Sequence, residues 1–137
     1  MTVICSESNP FMLCYLRKQV RRVLPEADIF ICRTSKQVKQ TAREKGCDIL
    51  ITEIDLGVLK GEGIILAQEI KKLNPRVNII FAIAGLESEF ATQMLKLKIS
   101  GFLVKPFSKE ELKEELVNLR YPKGGMKYED TLCSDRG

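Results

Sequence analysis

The sequence predicts an α/β fold in which five parallel strands alternate with five helices in a doubly wound sheet. Three observations carry that prediction. Apolar runs bounded by turn signals alternate with stretches of helical periodicity five times along the 137 residues. The strands are short continuous apolar runs, so both of their faces should be buried, which requires a parallel sheet with helices on each side. A composition of 45% hydrophobic and 29% charged residues suits one globular domain with its own core.

The elements follow in order. Val3-Ile4-Cys5 is a short strand, and Asn9-Pro10 then offers a helix cap and a first-turn proline. Leu13, Leu16, Val20 and Val23 fall on one face of that helix, which Pro25 ends. Asp28–Cys32 is the second strand; Thr34 or Ser35 caps a short helix carrying Val38 and Ala42, which stops at Gly46. Asp48–Thr52 is the third. After a loop with Gly57 and Gly61, a helix with Leu66, Ala67, Ile70 and Leu73 inside ends at Asn74-Pro75. Asn78–Ile83 is the fourth strand, followed by a helix whose core residues are Phe90, Met94 and Leu97. Gly101–Val104 is the fifth, and Ser108-Lys109-Glu110-Glu111 has the pattern of a capping box before Leu112, Leu116 and Leu119. Right-handed crossovers between such units favour the flavodoxin-like (βα)5 strand order 2-1-3-4-5. Residues 1–120 form this domain, and the Gly-, Pro- and charge-rich residues 121–137 read as a linker or disordered tail.

Composition removes several chemistries. The chain has no histidine, which excludes Ser-His-Asp and Cys-His arrangements and His-containing zinc sites within it. A net charge of +4 argues little for nucleic-acid binding, because the basic residues are dispersed; the densest group, Arg17, Lys18, Arg21 and Arg22, reads first as a solvated helix face. Five cysteines without a C-x-x-C pair read as reduced packing residues. No stretch approaches a membrane span, and the first ten residues carry no secretory signal pattern, so a cytoplasmic protein is expected.

In an open α/β sheet, ligands bind at the carboxyl ends of the strands. The polar residues there are Ser6-Glu7-Ser8, Thr52-Glu53-Ile54-Asp55, Ile83-Ala84-Gly85 and Lys105. Glu7 and Glu53 facing the lysine ammonium would make an acidic cluster with an internal counter-ion, a site for a divalent cation or a phosphate. The plainer reading is a set of polar strand ends such as any sheet of this kind must have.

The stretch Ile99-Ser100-Gly101-Phe102-Leu103-Val104-Lys105-Pro106-Phe107-Ser108 resembles the fifth strand of the receiver domain of response regulators, the CheY-like superfamily. Cys47–Glu53 is similar to that family's third strand, and Glu7-Ser8-Asn9-Pro10 to its acidic first loop; the resemblance covers residues 2 to about 119. It implies that Glu53 stands at the phospho-acceptor position, Glu7 and Ser8 at the acidic pair that holds Mg²⁺, and Asp55 at the position that gives the metal a backbone carbonyl. Ile83 stands at the hydroxyl switch, Phe102 at the aromatic that swings behind it, and Lys105 at the phosphate-pairing lysine. It also implies a cis Lys105-Pro106 bond.

Three of these positions depart from the family pattern. Glu53 is one methylene longer than aspartate, in a chemistry where a displacement of an ångström can cost about a hundredfold. Ser8 brings no charge, and Ile83 cannot hydrogen-bond a phosphoryl oxygen. Phe102 would face Ile83 and be held by apolar packing. The loop from Glu53 to Gly63 is about two residues longer than the family's, with Gly57 where a proline is common. Glu53 can instead imitate the charge of the phosphorylated form by pairing with Lys105.

The expectation is an atypical, or pseudo-, receiver. It would be a non-enzymatic interaction module with Mg²⁺ weak or absent at Glu7, Glu53 and Asp55, and no other cofactor. Its partners would be a histidine kinase or another signalling protein, and a second copy through the face of the fourth helix, fifth strand and fifth helix. DNA would be reached only through an output domain outside these residues. The alternative is a phosphorelay receiver slowly phosphorylated on Glu53 or Asp55. A flavin carrier is disfavoured, because the first strand-to-helix loop has no phosphate cradle.

Overall fold

The computed structural model describes residues 1–57, 59–85 and 90–120. Ten elements alternate: β1 Thr2–Ser6, α1 Pro10–Val23, β2 Asp28–Cys32, α2 Ser35–Lys45, β3 Ile49–Glu53, α3 Glu62–Leu73, β4 Asn78–Ile83, α4 Ala91–Leu97, β5 Gly101–Val104 and α5 Lys109–Arg120. The sheet has the order β2-β1-β3-β4-β5, with every pairing parallel. The tail expected at 121–137, with Cys133, lies outside the described residues.

Local chemistry places the helix starts where the sequence puts them. The Asn9 side chain accepts hydrogen bonds from the Phe11 and Met12 amides (2.9 and 3.3 Å), with Pro10 in the first turn. Thr34, of the two candidates, caps α2 by accepting from Gln37 N at 3.2 Å. Before α5 the capping box is reciprocal: Ser108 N donates to Glu111 Oε1 (2.8 Å) and Glu111 N donates to Ser108 Oγ (3.1 Å). α3 starts differently. Gly63 lies so close under the end of β3 that a Cβ there would collide with the Glu53 and Ile54 carbonyls, so only glycine lets the helix begin there.

Two apolar layers sandwich the sheet. One packs Ile4, Leu50, Phe81 and Ile83 against α2, α3 and Leu97 of α4; the other packs Val3, Cys5, Ile51 and Leu103 against α1 and α5. Phe90 and Met94 are half-buried at the margin of the first layer. Cys5, Cys32 and Cys47 are free and buried, and burial pushes the thiols of Cys5 and Cys47 up to about 12; Cys14 instead faces outward.

Two expectations are corrected. Burial on both faces holds for β1, β3 and β4, but β2 and β5 are partly exposed, because each has a neighbouring strand on one side only. Leu73 is 52% exposed: the last turn of α3 is held by Asn74, whose amide donates to Cys47 O at 3.0 Å, and no apolar surface covers the leucine.

Candidate functional site

β1 and β3 are neighbours in register, Ser6 opposite Thr52, so Glu7 and Glu53 emerge side by side at the carboxyl edge of the sheet. Lys105 comes from β5, two strands away. Its backbone N–H donates to the Ile83 carbonyl (2.7 Å), which anchors it at the end of β4, and its long side chain reaches across to the carboxylates. The Lys105-Pro106 bond is cis.

The ammonium joins both acids. Nζ lies 2.8 Å from Glu7 Oε1 and 3.2 Å from Glu53 Oε2. The second oxygen of each acid is also engaged: Glu53 Oε1 accepts from Ser8 N at 2.9 Å, and Glu7 Oε2 from Asn9 N at 3.1 Å. The Glu7 side chain is 3% exposed, that of Glu53 12% and that of Lys105 25%, so bulk water screens the cluster little.

Burial pushes the Glu53 carboxyl up, but the hydrogen bonds from Ser8 and the nearby Lys105 ammonium outweigh it and hold the group below its usual value. Burial likewise pulls Lys105 down, and Glu7 and then Glu53 outweigh it, holding the ammonium above its usual value. The Glu53 carboxylate and the Lys105 ammonium are therefore both charged at neutral pH.

A cavity of about 90 Å³ adjoins the cluster, lined by Glu53, Asp55, Ile83, Gly85 and Lys105 among others. Asp55 does not bring its carboxylate to Lys105: Oδ1 accepts from Gly61 N at 2.7 Å and braces the β3–α3 loop. A hard divalent cation collects oxygen ligands. Here the two clustered carboxylates already share one ammonium, and among the described residues no group of three or more His, Cys, Asp or Glu is placed to hold a metal ion.

Ile83 and Phe102 part company. Ile83 is 4% exposed within the α2–α3 layer, whereas Phe102 is 44% exposed. The expectation that Phe102 is held by packing against Ile83 is corrected: in register Phe102 stands opposite Phe81, and Val104 takes the place opposite Ile83. Phe81, Ile83 and Leu97 already fill the layer on that side.

Two contributors to the site were not read as such in the sequence, Asn9 being expected only as a helix cap and Arg33 not at all. Asn9 caps α1 and also supplies the backbone donor that orients Glu7. Arg33, the first residue after β2, reaches the Ser8 carbonyl with Nη2 at 3.4 Å. The available signal was position alone, because in a 2-1-3 sheet the residue after β2 stands beside the loop after β1.

A family model described as the response regulator receiver domain matches residues 3–117. The chain belongs to the receiver family. The sensor histidine kinase TmoS of Ectopseudomonas mendocina is 22% identical over 117 residues, covering 85% of this chain and 12% of that protein. The sensory transduction protein LytR of Staphylococcus epidermidis is 31% identical over 77 residues, 56% of this chain and 30% of LytR. The receiver thus spans less than a third of these curated relatives. Among solved structures, the signal receiver domain of a DNA-binding response regulator (merR) from Colwellia psychrerythraea 34H superposes with a TM-score of 0.77 at 14% identity, over 89% of this chain and 99% of that one. The flavodoxin-like order 2-1-3-4-5 expected from the sequence is the one observed. No helix among the described residues is long and apolar enough to cross a membrane.

Proposed function

We propose that this receiver is an atypical one, a non-enzymatic interaction module that does not run the ordinary phosphorylation switch. The observation that carries this reading is the direct ion pair between Glu53 and Lys105. A carboxylate held by the lysine and by the Ser8 amide already supplies negative charge at the position matching the phospho-acceptor. Ile83, at the position matching the hydroxyl switch, has no donor to offer a phosphoryl oxygen.

Mg²⁺ binds weakly on this reading. The cation would have to displace an ammonium from two carboxylates, with Ser8 adding no charge and Asp55 reaching it only through its backbone. The module acts in the cytoplasm by docking or dimerising through the α4–β5–α5 face, where Leu95, Phe102 and Val104 are exposed (79, 44 and 39%). Its link to transcription runs through an output domain outside these residues, as the DNA-binding relative suggests.

Beryllofluoride or an acyl phosphate with Mg²⁺ is expected to leave the amide NMR spectrum and the sedimentation coefficient unchanged. Stoichiometric labelling at Glu53 overturns the reading. The second reading, slow phosphorylation of Glu53 or Asp55 by a histidine kinase, would appear as acid-labile phosphate on the protein; it requires either carboxylate to leave the hydrogen bonds described above.

A further inference from the structure

The twelve residues of α5, KEELKEELVNLR, segregate charge around the helix. At about 100° per residue, Leu112 and Leu116 form the buried stripe, Lys109, Lys113 and Val117 lie along one flank, and Glu111, Glu114 and Glu115 lie along the other. Each flank borders a groove. Between α1 and α5 is a groove of about 430 Å³, with Arg22, Lys109 and Lys113 around Val23 and Val117, and with Glu110 its one carboxylate. Between β5 and α5 is a groove of about 440 Å³, with Glu111, Glu114 and Glu115 beside Phe102 and Val104 and no cation.

The acidic groove is under electrostatic stress. Glu115 lies against Gly101, where a Cβ would meet its carboxylate, and burial with the neighbouring Glu114 pushes its carboxyl up. Arg22, Lys109 and Lys113 have no ion-pair partner among the described residues. The two grooves match in size, carry opposite charge, and each offers apolar side chains to the other.

We propose that the occupant of the β5–α5 groove is the α1–α5 groove of a second copy of this chain, a head-to-tail contact in which Arg22, Lys109 and Lys113 meet Glu111, Glu114 and Glu115. The proposal rests on the interaction-module reading and names its partner surface. A two-fold contact across the outer ridge of α5 is less favourable, because that ridge carries Glu110 and Glu114 and the symmetry would set each near its own image. A head-to-tail contact does not close on itself at two copies, so it grows into a ring or an open chain.

Sedimentation velocity of the whole chain over a range of concentrations tests this. The wild type is expected to grow past the dimer, and raising the salt to about 1 M, where the screening length is about 3 Å, should weaken association at least about tenfold. Lys109→Ala/Lys113→Ala and Glu111→Gln/Glu114→Gln/Glu115→Gln should each be monomeric alone, while an equal mixture forms a dimer and nothing larger. Glutamine at 111 retains the capping box, and association in the mixture shows that both variants are folded. A wild-type assembly that stops at two copies overturns the head-to-tail contact and leaves the interaction-module reading standing. A monomer at every concentration overturns the self-association, whereas phosphoryl labelling of Glu53 overturns the interaction-module reading whatever the sedimentation shows.

Discussion

The charged cluster and the β4–β5 margin meet at Lys105, yet they are built in opposite ways. In the cluster both oxygens of Glu7 and both of Glu53 are engaged, and the donors come from the ends of β1 and β5. At the margin, Ile83 is buried and Phe102 is exposed, and the Ile83 side chain has no hydrogen-bonding group to connect them. A switch needs two arrangements of comparable free energy. On the proposed reading, the difference teaches that this receiver holds the electrostatic lock of its site in one state while its aromatic stands apart from the residue at the position matching the hydroxyl switch.

The largest effect that could break this contrast is within one register pair. Phe81 and Phe102 face each other across β4 and β5, at 0% and 44% exposure. Phe81→Ala should cost about 3–5 kcal/mol in urea unfolding, the range for a fully buried phenylalanine. Lys105→Ala comes next. It strands two carboxylates at low exposure, and after allowing for the quarter of the lysine that is exposed the loss should be about 2–3 kcal/mol at neutral pH. A loss below half a kcal/mol would show that the lock contributes little.

Ile83→Thr restores a hydroxyl and should cost about 1–2 kcal/mol, through lost packing and a buried polar group. The Phe102 ring resonances should not respond to beryllofluoride with Mg²⁺ in this variant; a shift would show that the relay needs only the hydroxyl. Phe102→Ala should cost less than about 1 kcal/mol, since much of the ring is already in water. A larger loss would mean that the ring is covered in solution, as an assembly would cover it.

The finest test is a slope. The folded value of Glu53 lies below its unfolded one, so its contribution is present above about pH 4.5 and is lost as pH falls through the folded value. The folded value of Lys105 lies above its unfolded one, so its contribution is complete below pH 10.5 and is lost as pH rises through the folded value. The contribution of this pair to the urea midpoint should hold steady between these limits and fall outside them. Glu53→Gln should make the acid limb shallower, and an unchanged limb would show that the pair does not stabilise the fold.

Much of the fold was legible because the signals are local. Asn9 before Pro10, Thr34, and Ser108 with Glu111 each satisfy orphan helix amides through residues within a turn; the first and last are legible from spacing, and Thr34 is one of the two caps, with Ser35, that the spacing offers. The apolar runs gave β4 and β5 their observed limits. Leu73 was misplaced because periodicity says which residues share a face and not whether the final turn still has a layer to pack against. Phe102 was misplaced for a related reason: its exposure depends on how β5 sits at the edge of the sheet and on what already fills the layer beside β4.

The sequence by itself determined the alternation of strands and helices, the capping chemistry, and the identities of Glu7, Glu53, Ile83 and Lys105 at the strand ends, since all of these follow from residue type and short-range spacing. The tertiary structure decided what those residues do to one another. Glu7 and Lys105 are ninety-eight positions apart and meet at 2.8 Å because of the strand order 2-1-3-4-5. Asp55, two positions from Glu53, turns its carboxylate to Gly61 because a loop amide is nearer than the ammonium. Distance along the chain says little about Coulomb energy, which depends on separation in space and on how much water remains between the charges.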